Sequence, residues 1–441
     1  MATTAEIESA HLLRRTGFGA SSADIATLAS LDRNARVDWV LDTSVNPPAQ
    51  FPPFVLSNGG PDIDEYQSFV VMRRWWLDRM ASIPRPFHEK LTFFWHGHFA
   101  TSFWKLNDMR SMMEQNAVFR ANAFGSFETL AQTIAVGPAM LLYLDNASNY
   151  RGHPNENFAR EDMELFTLGV DNGYSQADVV GVARAWTGHN LQWSSSGPPT
   201  YHFYPGNHDT GLKSLFGLAA RNWDGPEVIT EMVNGSLKPR TAMHIARKLW
   251  SLLGAPRPPD ATIQPFANVF AGSGMNITSL VRAILTSDDF YTDATRHGLV
   301  RTPVDWGVTL LRATGARSAE TDIDYGLSEL GQGLFEPPTV AGWKMNDIWI
   351  SENGAWQKAA TAARVADVAV AAGFLSTIDA MTPAAAVDTA LDALGTPSWS
   401  VTTATKQALA GYLQAERTAN GTRQRRNLIR LVSLTPEHQL A

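Results

Sequence analysis

Along most of the chain the apolar residues recur at three- and four-residue steps, the spacing of one buried helix face. Over Asp64–Met80 the positions Tyr66, Phe69, Val70, Arg73, Trp76, Leu77 and Met80 share such a face, and Arg73 is its one charged member. The same spacing predicts helices over Ile7–Arg15, Ala23–Leu31, Met109–Phe124, Ser126–Ala135, Gln176–Thr187 and Pro239–Leu253. It continues through Thr278–Ser287, Pro303–Thr314, Ala359–Ala372 and Thr405–Glu416. Helix punctuation agrees: Gly17 follows the first segment, Ser22 and Asp24 open the second, and Pro303 sits just inside the start of another. Strand patterning is confined to Thr200–Tyr204 (TYHFY) and its neighbour His189–Trp193 (HNLQW), which flank a Ser/Gly/Pro loop at Ser194–Pro199 and together predict one small hairpin.

These patterns define a mainly α, multi-helix protein with a small β-hairpin near the middle of the chain. Two stretches rich in Pro and Gly resemble linkers, Asn46–Asp62 and Gly254–Pro265. The second divides a front part, residues 1–253, from a helical back part, residues 266–441; the two form either a two-lobed array or one continuous domain. No fixed-period repeat occurs, which argues against a solenoid.

Composition narrows the classes. The 441 residues are 44% hydrophobic and 18% charged with a net charge of −7, so a basic nucleic-acid footprint is not expected. Cysteine is absent, which excludes disulfides, thiolate metal sites and cysteine nucleophiles. No run of about 18 apolar residues predicts a membrane span. The opening MATTAEIESAHLLRRTGFGA lacks the pattern of a secretory leader, so the chain as given reads as soluble and cytoplasmic unless a leader has been trimmed. Fourteen tryptophans serve either as large packing residues or as platforms for a flat ligand face.

Four stretches hold candidate chemistry. In LTFFWHGHFATSFWK, residues 91–105, His96 and His98 lie one residue apart beside Trp95. On a helix they would diverge by about 200°; on an extended segment eased by Gly97 they would point to one side and converge on a metal or a substrate group. In PNENFAREDMELFTLG, Pro154–Gly169, Asn155 reads as an N-cap and Gly169 as a terminator. At about 100° per residue, Asn157, Glu161 and Glu164 form a narrow polar seam between apolar walls, which predicts that the seam faces an internal cleft. Two carboxylates one turn apart require a proton, a cation or an Arg such as Arg160; the other reading of the seam is a buried ion network between helices. In YPGNHDTGLKSLFG, Asp209 either orients the ring of His208 as a base is oriented by its carboxylate or forms an Asx turn, and Lys213 adds a cation. Trp343 in GLFEPPTVAGWK either stacks on a sugar ring or fills a gap between helices.

Several stretches taken in order resemble the bacterial family catalogued as domain of unknown function 1800: HLLRRTGFGA, FWHGHFATS, NENFAREDMELFTLGV with YSQADVVGVARAWTGH, NHDTGLKSLFG, IARKLW, LFEPPTVAGW and the closing LTPEHQLA. The resemblance spans nearly the whole chain. It implies an exported bacterial protein associated with sulfatase-like partners and with envelope or extracellular polymers, and it singles out His96, His98, Asn157, Arg160, Glu161, Glu164, His208 and Asp209. Asp162 stands where the family usually has an apolar residue, which predicts a wetter helix face beyond the seam.

The expectation that follows is an enzyme that cleaves a polysaccharide as a hydrolase or lyase. Glu161, Glu164, His208, Asp209, His96 and His98 are its candidate catalytic groups, and Asn157, Arg160, Trp95, Lys213 and Trp343 bind substrate. Paired carboxylates suit a glycosidic bond, although glutamates three residues apart on one helix are poorly placed to flank it, so one of them is expected to work with Asp209 or His208. The alternatives are a metalloprotein, hydrolytic or oxidative, with a divalent metal on His96, His98, Glu161 and Glu164, and a non-catalytic protein that binds or assembles polymers.

Overall fold

A computed structural model describes residues 2–57, 60–194, 198–344, 346–416 and 421–441. Parts of two expected loops, residues 58–59 and 195–197, lie outside the described residues. Among the described residues the architecture is 24 α-helices and one two-stranded antiparallel sheet.

The predicted helices form, most with small shifts at their ends, while the one expected from Ala359 begins at Glu352. Apolar faces choose the helices and local polar groups choose where they begin. Thr3 and Glu6 make a reciprocal capping box at the start of Thr4–Thr16. Ser21, Asp64, Asn276 and Thr302 each accept a backbone N–H at the opening of their helices. Strand β1 (His189–Gln192) pairs with β2 (Thr200–Phe203) in the register His189–Phe203 to Gln192–Thr200.

Two hydrophobic cores hold the helices. One gathers residues from Ala10 to Tyr291, including Trp95, Trp186 and Trp250; the other joins Phe69–Met80 and Phe103–Met113 to Val304–Val432. The linker-like stretch Gly254–Pro265 is a turn and a helix start: Lys238–Leu253 and Asp260–Gly272 follow one another closely, and Leu249, Leu253, Ile263 and Phe266 lie in one core. The expected division at this stretch therefore does not separate two cores. The core boundary instead crosses the chain several times, because helices distant in sequence share faces.

The helix Phe87–His98 links the cores through buried polar groups. Its Glu89, fully buried, accepts from Trp76 Nε1 at 2.7 Å, from Arg79 Nε at 2.5 Å and from Arg120 Nε and Nη2 at 2.7 and 2.9 Å. Burial pushes this carboxyl up, but the two guanidinium groups outweigh it and hold the pKa below its ordinary value. One residue on, buried Lys90 pairs with Asp305 at 3.2 Å. Buried Arg14, Arg15 and Arg301 crowd the same region.

Candidate metal centre

The two histidines of the FWHGHFATS stretch lie on a helix and do not converge. Helix Phe87–His98 runs through both, which corrects the extended segment that would have made them joint ligands. His96 Nε2 accepts the N–H of Phe335 at 3.2 Å among Trp76, Phe119 and Trp343. His98 Nε2–H donates to the carbonyl of Phe166 at 3.1 Å among Phe94, Phe99 and Phe127. Burial drives the His96 pKa down to about 3 and that of His98 well below its ordinary value, so both rings are neutral. Gly97 serves an approach of backbones. A Cβ on Gly342 would lie 2.1 Å from the Gly97 carbonyl oxygen, and a Cβ on Gly97 would meet the Trp343 ring at 3.5 Å. Trp95, expected as a stacking surface, is fully buried with its indole N–H donated to Ala123.

The glutamate segment begins as predicted, with Asn155 capping Glu156–Glu161, and then widens into a π-helix over Asp162–Thr167. The change of pitch breaks the assumed 100° step. Asn157 is exposed and donates to Leu144 O at 3.2 Å. Glu161 and Glu164 are half-buried, and Arg160 bridges Glu164 at 3.3 Å and Glu156 at 3.1 Å. Burial first, then the charge of Glu164, raises the Glu161 pKa. Asp162 is buried, not wetter: its Oδ2 has no partner, and burial raises its pKa to about 7.

Asp209 does not orient His208. Its carboxylate pairs with Arg184 at 2.7 and 3.2 Å and accepts the Gly211 N–H at 2.8 Å. The Arg184 bond, foremost, lowers its pKa to about 2. His208 is held from another side: its Nδ1–H donates to the Thr187 carbonyl at 2.8 Å. Lys213, expected to meet substrate, is buried and donates to Asp209 O, Asn222 Oδ1 and Trp223 O.

A different group closes around His208. His189, His208 and Asp224 each offer a ligand atom within 4.8 Å of the other two, and theirs is the one such His/Asp/Glu group of three or more among the described residues. His189 opens β1 directly after Gly188. With φ of +82° and a hypothetical Cβ only 2.7 Å from Tyr204 O and 3.0 Å from His208 N, Gly188 is where the chain from the helix and the loop of His208 come together. Buried Asn146 donates to the His189 carbonyl at 3.0 Å, and buried Asn149 donates to Asn146 and to Ala183. Asp224 occupies the N-cap of Gly225–Asn234, its N–H donated to Glu227 at 3.0 Å.

The donor set fits a divalent cation. Because Thr187 O can only accept, His208 carries its proton on Nδ1 and keeps the Nε2 lone pair for a ligand bond. His189 Nδ1 meets the Tyr201 hydroxyl at 2.9 Å and its Nε2 meets Asp224 Oδ1 at 2.8 Å. With the proton on Nδ1, directed to Tyr201, Nε2 and Asp224 would share one cation. Burial raises the Asp224 carboxyl, but the bond and charge of His189 and the Gly225 N–H overcome it, leaving the pKa low and the group anionic. The histidines are buried while the Asp224 side chain is 42% exposed, so the group opens to solvent on the carboxylate side.

Of the residues chosen from sequence, only His208 belongs to this group. His189 stands inside the ARAWTGHN stretch and was legible there as a histidine following a helix end and a glycine. Asp224 carried no signal beyond N-cap chemistry. Among the described residues no hydrogen bond or ion pair joins the other candidates to one another across segments: His96 meets Phe335, His98 meets Phe166, Glu164 meets Arg160, and Asp209 meets Arg184.

Two imidazoles and a carboxylate at a helix N-terminus, beside a two-stranded hairpin in an otherwise helical molecule, define a helical protein with a mononuclear His/Asp candidate centre. The chain belongs to the family described as protein of unknown function DUF1800, whose model matches residues 11–440. Comparison with curated proteins and with solved structures gave no match. No helix is long and apolar enough to cross a membrane among the described residues.

Proposed function

We propose that this protein is a divalent-metal-dependent enzyme whose metal is held by His189, His208 and Asp224. The observation that supports it is the convergence of three ligand atoms within 4.8 Å, with both imidazoles oriented by outer partners, Tyr201 and Thr187. Two imidazoles with one carboxylate suit Zn, Mn or Fe, and three protein ligands leave coordination positions for water or substrate. A metal bound there supplies a polarised substrate oxygen or an activated water. Thr187 holds the His208 tautomer, Tyr201 would accept the Nδ1 proton of His189 in its ligating form, and Asp224 would contribute the anionic ligand.

The substrate class proposed is a polysaccharide, cleaved by hydrolysis or elimination. The hairpin beside the centre supports it by exposing Trp193 (67%) and Tyr201 (38%), aromatic surfaces on which the apolar face of a sugar stacks. A second reading places the acid chemistry on Glu161, whose raised pKa suits a proton donor.

The test uses the full chain purified without added metal. Near-stoichiometric binding of Zn²⁺, Mn²⁺ or Fe²⁺ is expected, with loss in His189→Ala and in His208→Ala while the fold persists by circular dichroism. Metal-dependent depolymerisation of a panel of neutral and acidic polysaccharides is expected to disappear in the same variants. Binding unchanged by both substitutions overturns the centre; activity unchanged by them but lost in Glu161→Gln transfers the chemistry to the glutamate.

A further inference from the structure

A pocket of about 100 Å³ lies where the helices Phe87–His98 and Lys238–Leu253 meet the loop that carries Trp343, among residues the His/Asp centre does not use. Phe94, Trp343 and Leu252 are among its apolar walls, and its charged and titratable lining is His98, Lys248, Lys90 and Asp305. Lys90 is already bonded to Asp305 and to the Gly17 carbonyl. Lys248 is not: its ammonium has one long contact, 3.4 Å to Leu165 O, and no carboxylate pairs with it among the described residues. His98 is 2% exposed; its Nε2–H is donated to Phe166, and its Nδ1 has no partner.

The end of the π-helix at Thr167 explains this arrangement: the Leu165 and Phe166 carbonyls of its last turn have no N–H following in the helix, and they take up His244 Nε2 at 3.1 Å, Lys248 and His98. Binding Phe166 fixes the proton of His98 on Nε2, which leaves Nδ1 as an acceptor beside the pocket. Among the described residues the pocket thus brings together a cation without a carboxylate partner and a buried acceptor without a donor. A ligand that satisfies both carries an anionic group and a hydroxyl donor on a short carbon frame. A purely apolar occupant would leave both groups unmet, which disfavours it. Burial lowers the Lys248 pKa to about 8, which leaves the amine mostly charged at neutral pH and ready to gain from an anion.

We propose that this pocket is a binding site for a small hydroxy acid, its carboxylate paired with Lys248 and its hydroxyl donated to His98 Nδ1. The inference does not rest on the metal centre. It is tested on the metal-free full chain by titration calorimetry and Trp fluorescence with glucuronate, lactate, glucose and propionate. Saturable binding of glucuronate or lactate is expected, at least about tenfold tighter than glucose or propionate, and weakened at least about tenfold in Lys248→Gln; a tenfold change is 1.4 kcal/mol. His98→Gln, which retains a donor toward Phe166, is expected to weaken lactate and leave propionate unchanged. Should His98→Gln fail to fold, the lactate-to-propionate ratio in the unaltered chain carries the same information. Absence of saturable binding by either hydroxy acid overturns the proposal, as does equal affinity in a folded Lys248→Gln variant.

Discussion

His189 Nε2 and Asp224 Oδ1 stand 2.8 Å apart although 35 residues separate them in sequence. Without a cation the contact is a hydrogen bond; with one, the same two atoms become neighbours in a coordination shell. Tyr201, on the other ring nitrogen of His189, can donate to Nδ1 or accept its proton, so it stays bonded in either form and would accept from Nδ1–H once Nε2 is a ligand. Tyr201→Phe is therefore expected to weaken metal binding by about 10–100-fold, the usual effect of removing an outer-shell partner. Competition with a chromophoric chelator measures it, and unchanged affinity would show that Tyr201 does not support the ligating form of His189.

Glu89 is the shared acceptor of Trp76, Arg79 and Arg120. Its removal leaves two guanidinium groups without their carboxylate in a dry region. Glu89→Ala is expected to cost about 3–5 kcal/mol of stability, as for other broken buried ion pairs. Urea denaturation checks it; a loss below 1 kcal/mol would mean that water reaches the arginines.

Asp162 makes stability fall as pH rises. Its folded pKa, about 7, lies above the ordinary value of 3.8, so between these values the folded state holds a proton that the unfolded state has released. Its contribution is complete below about pH 4 and is lost as pH rises through 7. Asp162→Asn is expected to remove this slope and to stabilise the protein by several kcal/mol at pH 8. Melting temperatures of both forms from pH 5 to pH 8 test it, parallel curves being the contrary outcome.

His96 acts in the opposite sense. Its folded pKa of about 3 lies below the ordinary value of 6.5, so the unfolded state binds the proton first as pH falls. The stabilising contribution is complete above about pH 6.5 and is lost as pH falls toward 3. His96→Gln keeps an acceptor for Phe335 and is expected to flatten the acid limb of the stability profile between pH 6 and pH 4. An unchanged acid limb would show that the ring gains access to water before unfolding.

Gly342 has φ of +76° and its missing Cβ faces the Gly97 carbonyl at 2.1 Å. Gly342→Ala is expected to cost on the order of 2–4 kcal/mol from combined backbone strain and overlap. Thermal unfolding checks it, together with loss of the fluorescence signature of Trp343; a near-neutral effect would place the loop elsewhere in solution.

The helices, their caps and the hairpin were legible in the sequence because each depends on residues within a few positions of one another. Periodicity chose the buried faces, Asn155 and Pro303 marked their helix starts as expected, and the second helix is capped by Ser21, one residue before the expected Ser22. His208 could be singled out as a residue of interest, but its partners could not. Asp209 is its neighbour in sequence, yet a bidentate bond to Arg184 takes that carboxylate away.

The sequence by itself determined a mainly α chain with a hairpin and a short set of polar residues in apolar surroundings. Only the tertiary structure decided which of them meet. Helix pitch separates His96 from His98, a π-turn redirects the segment of Glu161 and Glu164, and the Gly188 crossing brings His189 and His208 to the cap of a helix that starts near residue 225. The reason is physical: propensity and capping act over one or two turns of chain, whereas ligand convergence depends on where independently formed elements pack.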